Sequence, residues 1–500
     1  MRGPRGTLGV AAVAVAVSLG VSAPALGAAG APGAPGGSRP GGVRPAAAGP
    51  AVVVAAAQPA ITVPGAGQVT FFDPGIYVIA RGAPLRFNLR QAGFAAPVRI
   101  TRVMRGPGGT VREVPLPSSL ADGVQGLRNF IVLTVRDSAG KIVATRHVLF
   151  CPNAFDPERA GPDSAPRTPF PDNGCPMMPF TRTAVWGLQR GWGEDISHTA
   201  DTGFRLAVGT YTLTAAITAP FRTVLGLPAA TSSATVTVHM VKGPAGSAGQ
   251  QRHPAGRTLP RLPAVRTMTN PPRAALPDLV PLPSWGIKME VRHRKHGHPA
   301  VDHLNFDATV AIDGNSQLDV QGFRAGDGPV MHAFQYFFLH GRVIGRAPAG
   351  TMLFDDDPSE QEWHFQQFAQ YRLLDASKTT AVLSHKEAFC IAPTHAYDLL
   401  RPGVSWQPHT GLGEGNCGLP TALWTHEALP LGWGDTYTQS LDGQNFNVTD
   451  LPNGTYYIEV IANPEKVLHE TNMANNTTLR KIILGGTPDH RTLRVPPYSG

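Results

Sequence analysis

Short runs of β-branched and aromatic residues recur along the whole 500-residue chain, and they constrain its fold more than any other feature. FIVLTVRD, GTYTLTAAIT, ATVTVHMV, HLNFDATVAI, AVLSHKEAFC, GTYYIEVIAN and LRKIIL are bounded by Gly, Pro, Asn and Asp. That is the pattern of strands separated by turns. No long stretch carries a helical period; the glutamine-rich segment SEQEWHFQQFAQYRLLDA reads as strand, helix or both in succession. The expectation is an all-β protein.

Two stretches interrupt the pattern. Residues 28–65 and 243–276 are dominated by Ala, Gly and Pro, a composition that buries too little side chain to fold. They read as a disordered linker and an inter-domain linker, leaving β-sandwich domains over 66–242 and 277–486, with immunoglobulin-like topology, and a tail at 487–500. Residues 1–27 carry Arg2 and Arg5, a short apolar run and then small residues, the order of a secretory signal peptide. No later run reaches the length of a membrane-spanning helix, so the expected location is extracellular. The net charge of +8 is spread over scattered arginines, without the concentrated basic motifs of nucleic-acid modules.

Four cysteines fall two to a block, Cys151 with Cys175 and Cys390 with Cys417. In an exported chain this reads as one disulfide per domain, with a metal-bound thiolate pair as the alternative. The blocks also repeat each other. RNFIVLTVRDSAGKIVATRHVLFC parallels QQFAQYRLLDASKTTAVLSHKEAFC, LQRGWGEDI parallels LPLGWGDTY, and FRLAVGTYTLTAAIT parallels FNVTDLPNGTYYIEVIA. In this alignment Lys386 stands opposite His147, Tyr437 opposite Ile196, and Trp363-His364 opposite Gln125-Gly126. A β unit of this kind therefore does not require the lysine, the tyrosine or the imidazole, which points to a chemical use for them.

Five ordered motifs, PDLVPLPSW, WHFQQFAQYRLLD, SHKEAFC, GWGDTY and HETNMANN, make residues 278–484 similar to the lysyl oxidase family. The resemblance implies a secreted copper amine oxidase. It places lysine tyrosylquinone on Lys386 and Tyr437 and implies oxidation of protein lysine or another primary amine by oxygen; Asp435, beside Tyr437 in the sequence, is the candidate base. The three family copper histidines correspond to Glu360, Glu362 and His364, so a single imidazole remains. Alternation puts all three on one strand face, and two carboxylates favour a harder ion such as manganese or calcium over copper. A histidine-rich loop, His293, His296, His298 and His303, reads mainly as a solvated basic segment. The family's calcium site maps to Asp278, the Leu279 carbonyl, Glu470, Asn472, Asn475 and Asn476, all oxygen donors.

No nucleophile elbow, phosphate-binding glycine loop or HExxH helix is present in the sequence. The expected function is a lysyl-oxidase-like amine oxidase. The alternative is a calcium-stabilised extracellular binding or scaffold protein whose oxidase domain has lost its metal.

Overall fold

The computed structural model describes residues 52–499, apart from 107–108, 154–156, 163, 199–202, 244–264, 293–299, 325–329, 357–361, 385–387, 408–416, 419–420 and 442. The all-β expectation holds: strands dominate, and the described residues contain one α-helix, Ala219–Leu225. The glutamine-rich segment resolves into two strands, Glu362–Phe365 and Ala369–Leu374.

Local chemistry explains the hairpins. Leu127–Arg136 pairs with Ile142–Phe150 across a turn in which Asp137 Oδ1 accepts the Ala139 and Lys141 N–H groups, each at 3.0 Å. Ala369–Leu374 pairs with Thr380–Leu383 across a turn in which Asp375 Oδ1 accepts from Ser377 and Thr379 at 2.8 and 3.0 Å. A short acidic side chain that captures backbone N–H groups beyond it is a turn former in its own right.

The strand order recurs between the blocks. One sheet runs Ile142–Phe150, Leu127–Arg136, Gly209–Ile217, Ser233–Val241, Ala60–Pro64; its counterpart runs Thr380–Leu383, Ala369–Leu374, Gly454–Ala462, Thr477–Thr487, His490–Arg494. Only the last strand differs in kind, joining in parallel in the first block and as an antiparallel hairpin in the second. A second pair runs Thr183–Leu188, Leu85–Arg90, Arg99–Arg105, Val111–Pro115 and, in the later block, Trp424–Leu429, Leu318–Arg324, Val330–Leu339, Arg342–Asp355. There the second block adds a fifth strand, Glu362–Phe365, which carries His364. Val52–Ala56, Ile76–Ala80, Trp192–Asp195 and Glu158–Arg159 match Pro277–Pro281, Val301–Gly314, Trp433–Tyr437 and His395–Ala396 in the same way.

Two boundaries move. Val52–Ala56 and Ala60–Pro64 are strands, with Val52 and Val54 buried in the first core, although both lie inside the stretch read as linker. The Gly-rich composition ends near Pro50; the β-branched residues after it pair like any others. The tail likewise contributes His490–Arg494 to a sheet, its alternation exposed and half-exposed as befits a charged edge strand.

The blocks are packed together, within one compact unit that spans 48–500. Phe170 and Val185 from the first enter the core of the second. Arg182 and Thr183 donate their N–H groups to the Tyr397 carbonyl at 2.8 and 3.2 Å, and the Thr183 hydroxyl reaches Asp398 at 2.6 Å. Both expected disulfides are formed, Cys151 with Cys175 and Cys390 with Cys417, which sets aside the thiolate alternative.

Candidate functional site: a buried tyrosine in an acidic pocket

Trp433–Tyr437 lies between Val301–Gly314 and His395–Ala396 in its sheet. Alternation therefore sends Trp433, Asp435 and Tyr437 to the same side, and Trp433 and Tyr437 both join the core there. The Tyr437 ring meets Phe389 edge to face at 4.8 Å, Phe389 meets Tyr371 at 5.7 Å, and Tyr371 meets Phe306 at 5.4 Å. Such contacts fix a ring's plane as well as its position. The Tyr437 hydroxyl donates to the Cys390 carbonyl at 2.7 Å. Burial, then the charges of Asp435 and Glu427, hold the phenol far above its ordinary ionisation range, so Tyr437 is neutral and its proton points at Cys390.

His364 is buried on its edge strand beside Arg342–Asp355. Its Nε2 lies 3.1 Å from Glu362 Oε1, and its Nδ1 lies 3.5 Å from Asp355 Oδ2. Asp355 faces Glu362 across the strand pair, a neighbour that sequence spacing does not reveal. Reciprocal bonds between the Phe365 and Phe389 backbones, 2.8 and 3.0 Å, tie this strand to the SHKEAFC segment. Glu362 is also within 4.8 Å of both sulfurs of the Cys390–Cys417 disulfide; bonded to each other, these are not thiolate donors. One imidazole with carboxylates fits a divalent cation of the harder kind and does not fit the imidazole-rich coordination that copper favours.

Glu427 is the group that sequence reading missed. It sits inward on Trp424–Leu429 and is completely buried. Its Oε2 accepts the Ile391 N–H at 3.0 Å, and its Oε1 has no hydrogen-bond partner. Burial raises its carboxyl well above the ordinary range; the Ile391 N–H and His364 oppose that shift, while Glu362 and Asp435 add to it. The available signal was an acid within a strand, on the face it shares with Thr425 and the core residue Leu429.

The proposed calcium residues do converge. Glu470 Oε2 accepts the Leu279 N–H at 3.0 Å, and its Oε1 accepts the Asn463 and Asn476 amides at 2.6 Å each. Asn475 donates to Asp278 Oδ2 at 3.2 Å. Asp278 Oδ1, Asn475 Oδ1 and Asn476 Oδ1 are buried without a hydrogen-bond partner, and burial pushes up the carboxyls of Asp278 and Glu470. Three undonated oxygens fit a hard cation. Asn472 is exposed and its Oδ1 is engaged with the Ala474 N–H at 3.1 Å in a local turn. His303 contacts Asn445 at 2.8 Å. Lys386, Glu360, His293, His296 and His298 lie outside the described residues, as does the signal segment.

An all-β chain with a clamped tyrosine, a buried acid pair and an imidazole–carboxylate edge is what the geometry defines. The family model described as Lysyl oxidase matches residues 357–489, which takes in four of the five motifs and leaves PDLVPLPSW outside. The chain is similar to the protein-lysine 6-oxidase of Sus scrofa, 28% identical over 134 residues, 25% of this chain and 47% of that protein. It is also similar to lysyl oxidase homolog 2A of Danio rerio, 30% over 110 residues, 22% and 13% of the two chains. The protein-lysine 6-oxidase of Gallus gallus gives 30% over 125 residues, 23% and 26%. The chain thus spans less than half the length of these relatives, and its C-terminal part is lysyl-oxidase-like.

Proposed function

We propose that the second block is an amine oxidase of lysyl oxidase type, converting protein lysine or another primary amine to an aldehyde with oxygen as acceptor and release of peroxide and ammonia. The observation that carries this reading is the clamp on Tyr437. The chain that bears Lys386 is anchored two residues upstream by the Ser384 hydroxyl on the Gly443 carbonyl at 2.8 Å. Three residues downstream, Phe389 packs on the Tyr437 ring. Lys386 is three residues from Phe389 in the chain, a span of at most ~11 Å at ~3.6 Å per residue, which supports a meeting of the lysine with that ring.

Lysine tyrosylquinone made from Lys386 and Tyr437 supplies an electrophilic carbonyl for the amine and takes up its two electrons. The remaining work falls to the chain's own residues. Phe389 packs on the ring with Tyr371 and Phe306 behind it, the Cys390 carbonyl accepts the Tyr437 hydroxyl before the quinone forms, and Asp435, on the same strand face, would take the proton lost from the amine's α-carbon. Glu362 and His364, with Glu360 before them, would hold a divalent cation, and copper would find a single imidazole there. Asp278, Asn475 and Asn476 would hold calcium as a structural tie between the start and end of the block. The disulfides suit an exported protein, and no helix among the described residues is long and apolar enough to cross a membrane.

The two blocks read as a duplication whose first copy lacks the chemistry, a reading supported by the shared strand order and by Ile196 and Gly126 at the Tyr437 and His364 positions. The loss of two imidazoles favours a second reading, a calcium-stabilised binding or scaffold module. Amine-dependent peroxide release separates the two. Full-length protein loaded with copper or manganese should release peroxide on addition of a lysine-containing peptide, and Tyr437→Phe should abolish it. No release with any divalent metal supports the scaffold instead.

A further inference from the structure

Cys390 and Ile391 share one peptide group, and the pocket uses both ends of it. Its carbonyl accepts the Tyr437 hydroxyl at 2.7 Å, and its N–H donates to Glu427 Oε2 at 3.0 Å. A planar peptide moves as a unit, so whatever fixes the N–H also aims the carbonyl. We propose that Glu427 is the positioning residue of Tyr437: through the Cys390–Ile391 peptide it sets where the phenolic hydroxyl and the ring edge point, and hence whether Lys386 can reach the ring. The inference deepens the oxidase reading and rests on it for its catalytic consequence.

Three observations carry it. First, Glu427 is completely buried, and among the described residues its carboxyl group bonds through Oε2 to that peptide alone. A buried carboxylate is costly unless it is bonded, so its presence calls for a use. Second, the repeat shows that the fold does not need it. Extending the LQRGWGEDI–LPLGWGDTY alignment upstream by two residues sets Trp186 opposite Glu427, and Trp186 and Ile196 are both completely buried in the first core. Where the tyrosine is absent, an indole fills the acid's place. Third, the peptide is otherwise held from one side by the Cys390–Cys417 disulfide and by the Phe389–Phe365 backbone pair. Glu427, arriving from a different strand, holds the N–H end of the same peptide.

The test reads Tyr437 directly. Full-length protein is labelled with 13C at the tyrosine Cζ and purified with a chelator, and the Tyr437 resonance is assigned by its loss in Tyr437→Phe. Glu427→Leu should shift that resonance and abolish the Lys386–Tyr437 cross-link after metal addition, whereas Glu427→Gln, whose amide oxygen still accepts the Ile391 N–H, should restore both. An unmoved resonance in Glu427→Leu, or an equal shift in Glu427→Gln, would overturn the proposal. If Glu427→Leu does not fold, Glu427→Asp replaces it: one methylene shorter, it must shift the resonance where Gln does not. Wild-type protein that never cross-links, yet shows this pattern of shifts, upholds the positioning role while removing the oxidase reading.

Discussion

At the scale of single residues, buried acids dominate this molecule, and they differ in what holds them. Asp195, in the first block, accepts the Ser197 N–H at 2.7 Å, while burial and Asp73 raise its carboxyl to about 6. The unfolded chain loses that proton near ~3.9. Between those values the folded state binds the additional proton, so stability is full below the lower value and falls as pH rises through about 6. Asp195→Asn keeps the oxygen that Ser197 needs and removes the charge. Thermal melts should show it more stable than wild type at pH 7 and equal to it near pH 4; equal melting at both would contradict the assignment. Glu427 shows the limit of reading residues alone. Its neighbours Ile391, His364 and Asp435 come from three other segments of the chain, and no spacing rule links them to it.

At the scale of elements, the strands were legible because alternation and turn chemistry are local. Asp137 and Asp375, each seven residues after a buried phenylalanine, close equivalent hairpins, and the sequence repeat already paired them. Less legible were elements whose role is set by a neighbour. Val52–Ala56 and Ala60–Pro64 were hidden by the alanine and proline around them, and His490–Arg494 by its polar alternation. The oxygen cluster proposed for calcium joins Pro277–Pro281 to the segment before Thr477–Thr487, and its undonated oxygens belong to both. A bound ion stabilises the folded state by mass action, about 2.7 kcal/mol at a hundred times its Kd. Calcium in excess should therefore raise Tm by several degrees, magnesium should not match it, and Asp278→Ala should erase the difference. A melt indifferent to calcium would reduce Glu470 to a hub that ties Leu279, Asn463 and Asn476 without a metal.

At the scale of the whole molecule, the sequence suggested two domains on a tether, whereas the blocks share apolar packing through Phe170 and Val185. Contacts of that kind are made between residues more than a hundred positions apart, and neither composition nor periodicity records them. The shared strand order was readable because it follows the order of motifs; the packing between the blocks was not, because either block could have presented its exposed face to solvent. Through Arg182 and Thr183 the first block bonds to the Tyr397 carbonyl, in the segment beside Trp433–Tyr437. We propose that this assembly brings Lys386 to Tyr437 and supports oxidation of the tyrosine by oxygen. Peptide mass spectrometry of full-length protein incubated with copper or manganese in air tests it most directly. A cross-linked peptide pair joining Lys386 to Tyr437 that stains for quinone redox activity is expected; recovery of both peptides unmodified under every metal would contradict that proposal.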